Sequence, residues 1–66
     1  MIIERKEVEI LNHSHLMCAE GCHDEKPTHD EIQSFLLQEG YASGEIEIWQ
    51  DLTQGFWRWY AKIEKQ

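Results

Sequence analysis

The sequence predicts a small α+β domain: a two-layer sandwich, in chain order β-α-β-β, with one helix on a three-stranded antiparallel sheet. Three observations carry this expectation. An aromatic hairpin pattern runs from Glu45 to Glu64, a capped amphipathic helix from Thr28 to Gly40, and an alternating stretch from Ile2 to Leu11.

In the opening stretch Ile2, Val8 and Ile10 share one side and Arg5, Glu7 and Glu9 the other. Glu4 and Lys6 interrupt the apolar side, so the strand within Ile3 to Leu11 should pack well only near its end. From Asn12 to Pro27 the sequence is polar except for Leu16 and Met17, and no period is visible. Residues 12–27 are therefore expected to form a long loop, either tied down by a metal or mobile, with at most a short helical turn that Gly21 ends.

Thr28 opens the helix. It stands three residues before Glu31 in the T-x-x-E capping box, and Asp30 and Glu31 occupy the first turn, where the helix dipole favours acids. Ile32, Phe35 and Leu36 form the apolar stripe, Gly40 suits the left-handed stop, and Leu37 points away from the stripe. The helix is expected over Thr28 to Glu39.

Period-two alternation then predicts strands within Glu45 to Leu52 and Phe56 to Glu64, joined by a short turn containing Gly55. Ile46, Ile48, Trp57, Trp59, Ala61 and Ile63 fall on the face that the helix should cover. Trp49, Phe56, Arg58 and Tyr60 fall on the other, among Glu7, Glu9, Glu45 and Glu47. The most aromatic strand belongs in the centre, which gives the spatial order second, third, first strand. A right-handed crossover makes the first and second strands parallel in direction.

Composition narrows function more than it defines it. With 66 residues there is room for one domain spanning 1–66, small enough that a metal, a disulfide or a second subunit would help its stability. Thirteen acidic against six basic side chains give a net charge of −7, which disfavours nucleic acid or an anionic membrane as partner and favours a basic protein. No uninterrupted hydrophobic leader follows Met1, and a cytoplasmic location is expected. In that compartment the two cysteines would be reduced or metal-bound rather than form a structural disulfide.

One cluster could hold a metal. Five of the six His and Cys residues lie in H-x-H-x2-C-x3-C-H, namely His13, His15, Cys18, Cys22 and His23. Four imidazole and thiolate ligands are what tetrahedral zinc takes, although C-x3-C is looser than the usual C-x2-C knuckle. Phosphate-binding, nucleophile-elbow and zinc-protease motifs are absent, so an enzyme is not expected.

The leading expectation is thus an acidic interaction protein that binds, and can inhibit, a basic protein partner. By size and charge it is comparable to the inhibitors and nucleic-acid mimics of phages and mobile elements. Its binding residues would be Trp49, Phe56, Tyr60, Arg58, Glu45 and Glu47. The alternatives are a zinc-stabilised domain and a homodimer joined through the aromatic face or a strand edge.

Overall fold

The computed structural model describes residues 1–66 as one helix against a four-stranded, fully antiparallel sheet. A 3-10 turn, Arg5–Glu7, leads into β1, Val8–His13. Then follow β2, Leu16–His23; α1, His29–Gln38; β3, Tyr41–Gln50; and β4, Trp57–Lys65. The sheet order is β1-β2-β4-β3, two hairpins joined through β2 and β4.

The α+β class and the single helix agree with the sequence; the strand count and order do not. The stretch expected to be a loop over residues 12–27 contains a complete strand, β2. It pairs with β1 through a two-residue turn in which Ser14 takes a positive φ of 56°. β2 then occupies the place beside β4 that the first strand was expected to take. The extra reversal also makes β1 run opposite to β3, not parallel in direction to it.

β2 was hidden by its side chains. Its covered face carries Met17, Ala19, Gly21 and His23, none of them β-branched and two of them nearly without side chain. Small residues are needed there because a fully buried Trp59 lies against them from β4. A Cβ on Gly21 would stand 1.9 Å from Trp59 Nε1 and 2.8 Å from His23 Nε2.

The helix forms as its local chemistry dictates. Thr28 Oγ1 accepts from the Glu31 backbone N–H at 3.1 Å, and the Glu31 carboxylate accepts from the Thr28 N–H at 3.0 Å, closing the capping box. Gly40, at φ 94°, ends the helix in the conformation that glycine tolerates best. Ile32 and Leu36 are fully buried, whereas Leu37 is exposed.

β3 begins at Tyr41, four residues before its expected start. Ser43 pairs with Ile63 and Ile46 with Ala61, so β3 spends three residues where β4 spends two. This is a β-bulge at Gly44 and Glu45, and it returns Ile46 to the covered face. The closest backbone approach of α1 is to β3, while the Arg5–Glu7 turn closes over β1 and β2. Between these covers lies the core of Val8, Ala19, Ile32, Leu36, Ile46, Trp59, Ala61 and Ile63. Ile3, Ile10, Met17, Phe35, Tyr41 and Ile48 pack around it.

Candidate functional site: the uncovered sheet face

Antiparallel pairing brings the outward side chains of the four strands into rows across the sheet, each strand about 4.8 Å from the next. One row reads Glu9, Glu20, Tyr60, Glu47 from edge to edge. A second reads Leu11, Cys18 and Lys62, ending at the bulge beside Glu45. A third reads Cys22, Arg58, Trp49. α1 packs against the other side; at one edge the Arg5–Glu7 turn brings Lys6 to a hollow it shares with Glu9, Glu20, Cys22 and Arg58, and the rest of the face is open.

Of the aromatics expected here, Trp49 and Tyr60 lie in the paired strands of this face, and Phe56 immediately precedes β4. Trp49 is 44% and Phe56 37% exposed, large apolar surfaces left in solvent, while Tyr60 is half-buried between its neighbours. Partial burial pushes the Tyr60 hydroxyl above the ordinary phenol range, and adjacent Cys18, Glu20 and Glu47 push it further in the same direction. The phenol is therefore neutral at any physiological pH.

The charges divide into two kinds. Arg58 Nε donates to Asp51 Oδ2 at 3.2 Å, and Asp51 Oδ1 accepts from the backbone N–H groups of Thr53 and Gln54. Those backbone bonds, then Arg58, hold the Asp51 carboxyl below the usual carboxylate range. Arg58 is thus committed to bracing the hairpin loop. By contrast Glu9, Glu20, Glu45, Glu47 and Glu64 enter none of the ion pairs of the chain, which engage Glu4, Glu7, Glu31, Glu39 and Asp51. Glu9 and Glu20 are direct cross-strand partners, an arrangement that costs stability because like charges repel.

Beside Tyr60 the bulge leaves a hollow of about 260 Å³, lined by Gly44, Glu45, Glu47, Tyr60 and Lys62. Gly44 supplies no side chain to fill it. The sequence placed Glu9, Glu45, Glu47, Tyr60 and Lys62 on this face and missed Glu20; Glu7, expected here as well, turns its carboxylate to His23 instead. The missing strand is the reason: β2 carries Glu20 and brings Glu9 into line with Tyr60.

No protein-family model, curated protein or solved structure matches this chain. Functional argument therefore rests on the geometry of its own residues.

The five expected metal ligands are dispersed by the same pairing. His13 ends β1 and His15 lies in the turn, while Cys18 and Cys22 point to the open face. Four residue steps of extended strand separate the two cysteines, about 13 Å, too far for one metal or a disulfide. His23 points the opposite way, into the core, where its side chain is fully buried. No group of three or more His, Cys, Asp or Glu side chains stands close enough to hold a metal ion. The convergence expected from sequence density does not occur, because a strand sends neighbours to opposite faces and a loop need not.

His23 is instead a core hydrogen-bonding residue. Trp59 Nε1–H donates to its Nε2 at 2.7 Å. An indole nitrogen can only donate, so Nε2 carries no proton and the neutral ring holds its hydrogen on Nδ1. Nδ1 faces the Glu7 carboxylate at 3.4 Å, an electrostatic contact outside hydrogen-bond geometry. The Glu7 carboxyl is held below its ordinary range, chiefly by the Glu4 backbone N–H at 2.9 Å and further by His23. No helix is long and apolar enough to cross a membrane.

Proposed function

We propose that this chain is a non-enzymatic binding module whose uncovered sheet face docks a basic protein partner. The observation that carries the reading is the coincidence, on one open face, of exposed Trp49 and half-buried Tyr60 with five carboxylates that enter no ion pair within the chain. Aromatic anchors provide the buried area that dominates binding energy. Unpaired carboxylates provide long-range attraction and orient the encounter.

Charge also argues against the homodimer alternative through this face. Two copies stacked here would bring Glu9, Glu20, Glu45 and Glu47 of each against those of the other, and Lys62 is the one cation per chain on this face not already paired. A partner with Arg or Lys at the contact meets no such penalty. Inhibition of that partner follows when its basic surface is itself a nucleic-acid-binding groove, which a sheet studded with carboxylates would occupy in place of phosphate.

The zinc alternative keeps one test, metal analysis of protein purified without chelator; the dispersed donors give it no geometric support. The docking reading is tested by recovering the partner on the immobilised chain and measuring its affinity for variants. Trp49→Ala is expected to weaken binding on the order of tenfold, mainly through faster dissociation. Glu45→Lys with Glu47→Lys should slow association and flatten its salt dependence. If Trp49→Ala and Tyr60→Ala both leave affinity unchanged, this face is not the docking surface.

A further inference from the structure

The row Glu9, Glu20, Tyr60, Glu47 has a spacing of its own, and we propose that it seats an arginine-x-arginine segment of the partner, laid extended across the strands. The inference rests on the docking reading above and names the chemistry of the contact. Across the sheet Tyr60 stands between Glu20 and Glu47, and Glu20 stands opposite Glu9. A guanidinium stacked on the Tyr60 ring has a carboxylate on each side, one strand spacing away. A second guanidinium sits between Glu9 and Glu20. The two positions are one and a half strand spacings apart, about 7 Å. Alternate residues of an extended peptide are also about 7 Å apart and point to the same side.

Arginine fits better than lysine for a geometric reason. Its planar guanidinium stacks on an aromatic face while its edge N–H groups fork toward carboxylates in the same plane, and an ammonium cannot do both. The neutral phenol keeps the ring available for stacking without a charge of its own. The hollow at the Gly44–Glu45 bulge opens beside Tyr60 and gives the stem of the side chain somewhere to lie. Binding also adds a cation to the opposed Glu9 and Glu20, which enter no ion pair in the free protein because Lys6 in the same hollow pairs with Glu4. A second copy of this chain does not supply the segment, since its sequence contains no Arg-x-Arg.

The test is a titration of the folded chain with three acetylated and amidated peptides, Gly-Arg-Gly-Arg-Gly, Gly-Lys-Gly-Lys-Gly and Arg-Gly-Gly-Gly-Arg, followed by backbone amide NMR. The first peptide is expected to shift Glu9, Glu20, Glu47 and Tyr60 and to bind on the order of fivefold tighter than the other two. Glu20→Gln should weaken it on the order of fivefold, whereas Asp30→Asn, the same charge change on α1, should not. Tyr60→Phe should bind as the parent does and Tyr60→Leu should not, which separates the ring from the hydroxyl. Each variant is first checked for the parent amide spectrum, and Glu20→Gln, nearly isosteric, keeps the test open if Tyr60→Leu fails to fold. Equal affinity for the three peptides, or equal weakening by Glu20→Gln and Asp30→Asn, overturns the proposal in favour of diffuse attraction. Such a failure leaves the docking reading standing as long as the natural partner still responds to Trp49→Ala.

Discussion

The indole N–H of Trp59 donates to Nε2 of His23 at 2.7 Å, and both side chains are fully enclosed. This bond ties β4 to β2 beneath the sheet, with the two rings nearly parallel at an interplanar angle of 13°. It satisfies the only donor of the largest core residue. Replacing His23 by Leu keeps the apolar bulk but leaves that N–H buried without an acceptor, a loss of about 1–3 kcal/mol. Denaturant unfolding of His23→Leu, Trp59→Phe and the double variant should show a coupling between the two positions. Strict additivity would mean the bond contributes nothing.

Gly21 is the condition for that pair. A methyl group there would meet two rigid, buried rings, Trp59 at 1.9 and 2.3 Å and His23 at 2.8 Å. Neither ring has solvent to retreat into, so Gly21→Ala should cost about 3 kcal/mol or abolish folding. Gly44→Ala makes the informative contrast, because nothing lies within 4 Å of a Cβ at that position. Thermal unfolding should place Gly44→Ala within about 0.5 kcal/mol of the parent.

The acidic row predicts a gain. Glu9 and Glu20 oppose each other directly and neither enters an ion pair, since Lys6 in the same hollow pairs with Glu4 instead, so Glu20→Gln should stabilise the chain by about 0.2–1 kcal/mol at low ionic strength. The gain should shrink in molar salt, where exposed charges are screened. Urea midpoints of parent and variant at two salt concentrations decide it. A variant no more stable at either would show that the two carboxylates do not feel each other.

Acid should weaken the fold in a defined window. The carboxyls of Glu7 and Asp51 are both held below their ordinary values in the folded chain, each chiefly by backbone N–H donors. A depressed folded value means that the unfolded chain takes up the proton first as pH falls. Their contribution is therefore complete above the ordinary carboxylate range and is lost as pH drops below it, through the folded values. Glu7→Gln should flatten the acid limb of stability measured from pH 7 to pH 3. An unchanged limb would remove Glu7 from the balance.

What the sequence disclosed and what it concealed divide along physical lines. The helix was legible because its signals are local: Thr28, Glu31 and Gly40 fix both ends with no help from the rest of the chain. The face assignment in β4 was legible because Trp59, Ala61 and Ile63 alternate with Arg58, Tyr60 and Lys62. β2 was illegible because its covered positions are small to accommodate Trp59, a requirement that exists only once the strands have paired. The same omission turned a strand's alternating His and Cys residues into an apparent ligand cluster and hid Glu20, the middle carboxylate of the acidic row. The bulge at Gly44 and Glu45 was silent for a related reason, since a period-two pattern cannot register an extra residue.

The most direct measurement is amide hydrogen exchange of the chain alone and in complex with its recovered partner. Docking on the open face predicts slowed exchange in β2, β3 and β4 around Glu20, Glu47, Trp49 and Tyr60, with α1 unchanged. Protection concentrated on the outer side of α1, around Gln33, Ser34 and Leu37, with the sheet unaffected, would contradict it.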